Sequence, residues 1–235
     1  MPGTMDSPSN GSPVLEARGL AMRFEAPEGR ISLFENLDVS IAAGDSLAIL
    51  GTSGSGKSTL LGLLAGLDLP SGGTVTLDGH DLTTMDEDER AALRSGRVGF
   101  VFQAFHLLPG LTALENVMLP AELAGDTDAR KKATHALEQV GLAGRVAHYP
   151  AQLSGGEQQR VAIARAFISE PRILFADEPT GNLDHRTGEQ IIELLFKLNR
   201  DYGTTLILVT HDQAVARRCA HVRYLREGAL AREAG

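Results

Sequence analysis

The sequence of 235 residues contains one cysteine, no tryptophan and only 5% aromatic residues. A single thiol, Cys219, cannot close a disulfide within the chain and is typical of a reducing compartment. No run of about 18 apolar residues occurs, although a membrane-spanning helix needs such a run. If the protein works at a membrane, we therefore expect another chain to hold it there.

Basic residues are also scarce, since 22 lysines and arginines stand against 30 aspartates and glutamates, for a net charge of −8. No long basic run offsets this acidic excess. Binding to the phosphates of a duplex would need a basic stripe. The charge pattern therefore predicts no nucleic-acid partner.

Residues 1–13 differ in composition from the remainder of the chain. They are rich in serine, proline and glycine, and they lack the basic start and the apolar stretch of a signal peptide. Such a segment cannot bury enough apolar surface to fold, so we expect a disordered leader. Residues 14–235 are expected to form one α/β domain, which the hydrophobic content of 43% supports.

Two kinds of strand pattern occur in this domain. Alternating apolar and polar residues in Val14–Phe24 and Leu33–Ile41 predict an outer, antiparallel β subdomain. Short apolar runs at Ser46–Leu50, Arg172–Ala176 and Thr204–Thr210 predict parallel strands that are buried on both faces. The domain is therefore expected to contain a parallel-sheet core beside an antiparallel sheet.

A helical lobe is expected to interrupt this core. The pattern is mostly helical between Thr112 and Arg165. Breaks in it are expected at Pro120, Gly125, Gly141 and Pro150. We therefore divide the domain into a core of residues 14–103 and 166–235 and an inserted α-helical subdomain of residues 104–165.

Gly51–Ser58 (GTSGSGKS) matches the phosphate-loop pattern G-x-x-x-x-G-K-[ST] and follows the first parallel strand. Its glycines let backbone N–H groups point at phosphate oxygens, and the next helix adds its positive N-terminus. Lys57 is expected to bridge the β- and γ-phosphates, and Ser58 to complete a Mg²⁺ shell. A chance match is disfavoured because the chain has only four lysines. The predicted nucleotide-binding residues are Gly51, Thr52, Ser53, Gly54, Ser55, Gly56, Lys57, Ser58 and Thr59.

Asp177 and Glu178 follow an apolar strand, and open α/β sheets bind ligands at the carboxyl ends of their strands. Asp177 is expected to bind Mg²⁺, directly or through water. Glu178 is expected to act as general base or to orient water for attack on the γ-phosphate. The alternative is a polar strand end that begins a turn at Pro179.

Residues 153–160 read LSGGEQQR and predict the start of a helix, with Ser154 as N-cap and Glu157 in capping-box position. The free N–H groups at a glycine-rich helix start also form an anion site. Since Gly51–Ser58 already holds this subunit's phosphates, the second site would serve the γ-phosphate of another subunit. The alternative is a well-capped helix without a ligand.

Together, these motifs resemble those of ATP-binding cassette (ABC) ATPases over residues 14–235. The resemblance implies that Gln103, in the segment FVFQ, contacts Mg²⁺ and the attacking water. It identifies Gly181–Asp184 (GNLD) as the D-loop and His211, in VTHD, as the switch histidine that contacts the γ-phosphate. It further implies that Phe24 stacks on adenine, although an ordinary core aromatic is the alternative.

The resemblance implies a homodimer in the ATP-bound state, with ATP and Mg²⁺ as cofactors. The segment LSGGE at residues 153–157 corresponds to the signature of this family. Each of two ATP molecules would then contact the phosphate loop of one subunit and the signature of the other. The implied nucleotide contacts outside the phosphate loop are Phe24, Ser154, Gly155, Gly156, Glu157 and Asp184. The implied catalytic residues are Lys57, Gln103, Glu178 and His211, and the implied Mg²⁺ ligands are Ser58, Gln103 and Asp177.

Several phrases are similar to the LolD, MacB and FtsE group of this family. They include GNLD, the preceding ADEPT, and LLAGLD at residues 63–68. The run from LSGGEQQRVAIARAF to LFADEPTGNLD looks like that of YbbA-type subunits. The resemblance implies a separate integral-membrane permease of the MacB/FtsX-like class, with the ATPase bound to it at the cytoplasmic face of the inner membrane.

The implied function is ATP hydrolysis that drives export or extraction of a lipophilic compound or a lipoprotein. The alternative is an FtsE-like ATPase that gates an envelope process without transport. A DNA-maintenance ATPase of the SMC or Rad50 type is disfavoured, because only about 120 residues without sustained heptads separate Lys57 from Asp177.

The permease contact is expected just after Gln103. Residues 104–109 (AFHLLP) are apolar and follow a motif that senses the γ-phosphate. Together with residues 111–123, they are expected to form a groove for a helix of the permease. The alternative is packing within the lobe.

Overall fold

The computed structural model describes residues 13–26 and 29–231, so residues 1–12 of the expected leader lie outside the described residues. The strands are β1 (Leu15–Ala26), β2 (Gly29–Ile41), β3 (Ser46–Leu50), β4 (Gly72–Leu77), β5 (His80–Asp81), β6 (Val98–Phe102), β7 (Ile173–Asp177), β8 (Thr205–Thr210), β9 (His221–Arg226) and β10 (Ala229–Ala231). The helices are α1 (Lys57–Leu64), α2 (Glu87–Arg94), α3 (Ala113–Leu123), α4 (Ala129–Gln139), α5 (Gly155–Phe167), α6 (His185–Tyr202) and α7 (Gln213–Ala216). Short 3₁₀ turns occur at Leu82–Thr84, Ala143–Arg145 and Pro150–Gln152.

A six-stranded sheet in the order β10-β9-β3-β8-β7-β6 forms the core, and its pairs are parallel except for β10 with β9. Its central strands are apolar on both faces. In β7, Leu174 and Ala176 belong to one hydrophobic cluster, whereas Ile173 and Phe175 belong to the other. Because side chains alternate along a strand, a continuous apolar run buries both faces. This confirms the predicted parallel-sheet core.

The second sheet has the order β2-β1-β4-β5 and is antiparallel throughout. Its buried residues, such as Leu15 and Phe34, share a hydrophobic cluster with Leu60 and Leu64 of α1. The alternation predicted for this region thus buries one face against the first helix of the core. The expected antiparallel β subdomain is confirmed.

The other hydrophobic cluster joins the opposite face of the six-stranded sheet to α3, α4, α5 and α6. Glycines with positive φ follow the ends of α3 and α4, at Gly125 (φ 76°) and Gly141 (φ 74°), as the sequence predicted. The inserted helical subdomain is therefore present. The subdomain boundaries at residues 104 and 165 stay a prediction.

Pro120 does not break the helical pattern, contrary to the prediction, but lies inside α3. A proline within a helix loses one hydrogen bond and costs about 3 kcal/mol. The packing of α3 outweighs this cost, because Val117 and Ala121 on either side of the proline are buried in the lobe. Helix propensity alone therefore gave the wrong prediction here.

The end of β7 and the last two strands differ from what was expected. Asp177 is the last residue of β7 rather than the first residue after it. Helix α6 begins at His185, because the Asp184 side chain caps it by accepting a hydrogen bond from the Thr187 N–H. Strands β9 and β10 were not predicted, since the polar run His221–Arg226 has only one buried residue.

The longest helix of the described part is α6, with 18 residues. One side of it is buried, at Ile191, Leu195 and Leu198, whereas charged residues such as Lys197 and Asp201 are exposed and form an ion pair. Of the helices described, none has the combination of length and apolarity required to cross a bilayer.

Gly99 lies where β6 passes α5. A Cβ added there would lie 2.6 Å from the carbonyl oxygen of Ala166 and 2.8 Å from Cδ1 of Leu174. We expect Gly99→Ala to lower the free energy of unfolding by about 2 kcal/mol, because overpacking displaces these neighbours. Gly110→Ala is the matched control, since nothing lies within 4 Å of its added Cβ and we expect a change below about 0.5 kcal/mol. Urea unfolding measures both, and equal effects would contradict a tight contact between β6 and α5.

Candidate functional site

Four loops meet at the carboxyl edge of the parallel sheet. The phosphate loop follows β3, and Gln103, Glu178 and His211 follow the ends of β6, β7 and β8. These four strands are neighbours in the order β3-β8-β7-β6, so their carboxyl ends lie along one edge, where α/β sheets bind ligands. The loops border a cleft of about 800 Å³.

The cleft brings together most of the predicted nucleotide site. It is lined by Phe24, Leu33, Ser53, Gly54, Gly56, Lys57, Ser58, Thr59, Gln103, Glu178, Gly181 and His211. Among these residues, only Leu33 and Gly181 had no individual role in the prediction. Phe24 is 45% exposed, so its ring is accessible to a ligand. Of the predicted loop and carboxylate residues, Gly51, Thr52, Ser55 and Asp177 are not part of the lining.

The phosphate loop curls around the Lys57 side chain. Gly54 (φ 78°) and Gly56 (φ 91°) adopt left-handed conformations that glycine tolerates best. Lys57 is only 8% exposed, and its ammonium donates to the carbonyls of Gly51 and Thr52, both at 3.0 Å. The buried ammonium group therefore belongs to the first residue of α1. Its charge and the positive N-terminus of the helix both favour the binding of an anion.

Glu178 lies between two basic groups. Its Oε2 is 2.9 Å from Nδ1 of His211, and its Oε1 is 3.9 Å from Nζ of Lys57. The carboxylate is 16% exposed and the histidine 71% exposed, so the pair is fixed on one side and open to the cleft on the other. Glu178 also has φ 45°, a strained conformation for a residue other than glycine.

Two buried oxygen atoms near the loop lack hydrogen-bond partners. They are Oδ1 of Asp177 at the end of β7 and Oγ of Ser55 within the phosphate loop. A buried polar atom costs free energy unless it is paired. Both atoms are therefore suited to meet a ligand or a cation at this edge of the sheet.

Gln103 is bound to Asn182, which has no assigned role in the sequence-based prediction. Gln103 Nε2 donates to Oδ1 of Asn182 at 3.1 Å, and Nδ2 of Asn182 donates to the Gln103 carbonyl at 3.0 Å. Asn182 belongs to the GNLD motif, so the sequence did mark it as a candidate functional residue. The sequence could not show its partner, which is 79 residues away.

The predicted signature lies outside the cleft. Ser154 caps α5 by accepting from the Glu157 N–H at 3.3 Å, and Glu157 Oε2 accepts from the Ser154 N–H at 2.8 Å. Arg145 donates to the other oxygen of Glu157 at 2.9 Å. The predicted capping box is therefore present, while Gly156 is buried against Thr187 of α6.

The Ser154 N–H, and then the Arg145 guanidinium, lower the pKa of Glu157 from 4.5 to about 2. The charged carboxylate is therefore stabilised in the fold and holds the start of α5 at neutral pH.

Asp184 lies in a neighbouring pocket of about 440 Å³, together with Leu183, His185 and Arg218. This pocket shares Gly181 and His211 with the cleft, so the two are adjacent. The Asp184 carboxylate caps α6, and its hydrogen bonds from Thr187 lower its pKa. Asp184 therefore lies beside the cleft and is not part of its lining.

Comparison with known proteins identifies the family. A family model described as ABC transporter matches residues 34–181. The chain belongs to the ABC transporter family. It is 53% identical over 223 residues to the uncharacterized ABC transporter ATP-binding protein YbbA of Escherichia coli K12, covering 94% of this chain and 98% of that protein. It is 50% identical over 219 residues to the lipoprotein-releasing system ATP-binding protein LolD of Legionella pneumophila, covering 92% of this chain and 96% of that protein.

A solved structure is similar over nearly the whole chain. It is the dimeric, post-hydrolysis ATP-binding cassette MJ0796 with ADP and phosphate, at a TM-score of 0.85 and 42% identity, covering 94% of this chain and 97% of that one. As a member of the ABC family, this chain is an ATP-binding ATPase subunit of an ABC complex. The predicted ABC ATPase fold and the resemblance to the LolD and YbbA group are confirmed.

The capping box of the ABC signature predicts a pH effect. Because the pKa of Glu157 is about 2 in the fold and 4.5 without its partners, its charge stabilises the fold above pH 4.5, and this contribution is lost as the pH falls towards 2. We expect Glu157→Gln to lower the free energy of unfolding at pH 7 by about 1 kcal/mol. In urea unfolding, the difference from the natural protein should shrink below pH 4.5. A difference that stays constant down to pH 3 would contradict this assignment.

Proposed function

We propose that this ATPase subunit drives a separate membrane permease that exports or extracts a lipophilic compound or a lipoprotein. Its 50% identity to LolD, which is named as part of a lipoprotein-releasing system, supports the cargo class. The observation that supports the mechanism is that the predicted nucleotide-binding motifs of one chain lie in two separate places. The phosphate loop, Glu178 and His211 share a cleft, whereas Ser154–Glu157 lie outside it.

The phosphates of ATP bind to the loop and to Lys57. Backbone N–H groups of residues 51–56 and the N-terminus of α1 face the β- and γ-phosphates, and Lys57 supplies the positive charge. Adenine stacks on the accessible ring of Phe24, at the β1 side of the same cleft. Ser53, Ser58 and Thr59 complete the polar lining around the phosphates.

Mg²⁺ fits the oxygen atoms beside the phosphate loop. Asp177 offers a buried carboxylate oxygen without a partner, and the Ser58 side chain borders the cleft together with Gln103. Mg²⁺ usually takes one or two protein oxygens along with phosphate and water. When bound, the ion neutralises charge that develops on the phosphates.

Glu178 acts as the general base. Its carboxylate accepts a proton from the water that attacks the γ-phosphate, and its contacts with His211 and Lys57 hold it in place. Since the carboxylate accepts from the Nδ1–H of His211, Nε2 donates to the γ-phosphate only from a ring that carries both protons. Gln103 follows β6, on the side of Glu178 opposite to His211, and orients the water from there.

The second half of each site comes from another copy of the chain. Ser154, Gly155 and Gly156 present N–H groups at the start of α5 to the γ-phosphate of the partner, where they stabilise charge in the transition state. Glu157 keeps Ser154 in this position, and Asp184 belongs to the same interface. The dimeric form of the related cassette MJ0796 supports a homodimer around two ATP molecules.

Closing and opening of this dimer transmit work to the permease. We place the subunit at the cytoplasmic face of the inner membrane, held there by a permease of the MacB/FtsX-like class. The core of residues 14–103 and 166–235 would hold the nucleotide, and residues 104–165 would contact the permease. The relationship to LolD and YbbA supports this arrangement.

A groove of about 330 Å³ between the helical lobe and β6 suits a helix of the permease. Its apolar lining includes Phe100, Phe102, Pro120 and Leu123, so it uses part of the segment expected from the sequence. Leu123 is 80% exposed, whereas Leu107 packs against the lobe core. We therefore place the proposed permease contact towards the end of α3, rather than at residues 104–109.

A gating role is the second candidate. An FtsE-like subunit would use the same ATP site to switch an envelope process without moving a substrate. A permease that has neither an enclosed nor a lateral substrate path would favour gating over export.

Glu178→Gln tests the ATP mechanism. We expect kcat to fall at least about 100-fold because the base is lost, while ATP still binds. With turnover blocked, ATP should trap a dimer that size-exclusion chromatography detects. Glu193→Gln, at an exposed site on α6, should leave turnover unchanged. A Glu178→Gln variant that stays monomeric with ATP and hydrolyses it normally would exclude the mechanism.

Leu123→Glu tests the permease groove. Because this side chain is 80% exposed, we expect the isolated subunit to fold and to hydrolyse ATP normally. A charge in the apolar part of the groove should abolish co-purification with the permease. Leu69→Glu is the control, since Leu69 is also exposed (48%) but lies outside the groove. If the Leu123 variant still binds the permease, the contact lies elsewhere.

A further inference from the structure

The Gly181–Asn182 pair of the D-loop reaches across the cleft edge to Gln103. Asn182 and Gln103 form two hydrogen bonds with each other, one through both side chains and one from the asparagine side chain to the glutamine backbone. Two bonds between the same pair fix both a position and an orientation. They tie the loop that follows β6 to the loop that follows β7.

The backbone bond decides which way both amide groups face. The Gln103 carbonyl can only accept, so it requires the Nδ2 of Asn182 as donor. Asn182 is then left with Oδ1 for the Gln103 side chain, and Oδ1 requires the Nε2 of Gln103 as donor. The assignment of nitrogen and oxygen in Gln103 therefore follows from the hydrogen-bond network.

This orientation leaves Oε1 of Gln103 as an acceptor. Within the part of the chain that the structure describes, it accepts no hydrogen bond. Gln103 borders the same cleft as Lys57, Ser58 and Glu178. An amide oxygen is a ligand for Mg²⁺ and an acceptor for water, whereas an amide N–H₂ group is neither.

Gly181 provides the space for this arrangement. A Cβ at position 181 would lie 2.7 Å from Nε2 and 2.9 Å from Cδ of Gln103. Any larger residue would therefore displace the carboxamide of Gln103. The two residues act together, since Gly181 admits the side chain and Asn182 orients it.

We propose that Asn182 is a positioning residue for ATP hydrolysis, which turns the Gln103 carboxamide so that Oε1 is offered to Mg²⁺ and to the attacking water. The inference rests on the proposed function, because it places both in this cleft. Without Asn182, the Gln103 amide has no partner that distinguishes its two ends and samples both orientations.

The test measures metal binding rather than turnover. Electron paramagnetic resonance of free Mn²⁺ gives the affinity of the metal for the complex of the protein with a non-hydrolysable ATP analogue. We expect Asn182→Ala to weaken Mn²⁺ binding about fivefold, the loss expected for one hydrogen-bonded ligand. Binding of the analogue without metal should stay within about twofold.

A double-mutant cycle separates positioning from a structural effect. Gln103→Ala should weaken Mn²⁺ binding as much as Asn182→Ala or more, and adding Asn182→Ala to it should change nothing further. Gln190→Ala, which removes an exposed amide from α6, is the control and should leave the metal affinity unchanged.

Two results would overturn the inference. One is an unchanged Mn²⁺ affinity in the Asn182→Ala protein, and the other is an equal loss when the same change is made in the Gln103→Ala protein. Failure of the proposed function itself is distinguishable, because in that case Asp177→Asn would also leave Mn²⁺ binding to the complex unchanged.

Discussion

The hydrogen-bonded register of β7 with its two neighbours is the constraint on which the cleft depends. Asp177 at the end of β7 pairs with Phe102 of β6 on one side and with Val209 of β8 on the other. The residues just beyond these strands, Glu178 and His211 among them, therefore reach the same level of the sheet edge. A slip of one residue would turn the carboxylate of Asp177 to the opposite face and separate it from the phosphate loop.

Helix α5 ties this edge to the signature. Gln159 is fully buried, and its Nε2 donates to the Pro179 carbonyl at 2.6 Å, in the turn after Glu178. Near the other end of the helix, Arg165 donates to the carbonyls of Phe105 and His106, which both have positive φ. The helix that begins with the signature thus holds the loops after β6 and β7.

The local motifs of the site could be predicted because each is a short pattern with its own physical cause. A glycine-rich loop before a helix binds phosphate wherever it stands, and the Ser154–Glu157 capping box needs only the residues between them. Contacts between distant segments could not be predicted in this way. The pairing of Gln103 with Asn182, the place of Leu33 in the cleft and the bond from Arg145 to Glu157 all depend on how separate segments pack.

The sequence by itself determined the fold class, the phosphate loop and the carboxylates, because periodicity and local motifs depend on nearby residues alone. Tertiary structure decided the rest. It carried α3 through Pro120, where lobe packing outweighs local propensity. It also placed the signature outside the cleft that its own chain forms, since α5 starts on the helical lobe whereas the phosphate loop starts at the sheet edge. That separation is a property of packing, and it supports the proposal that a second copy completes the site.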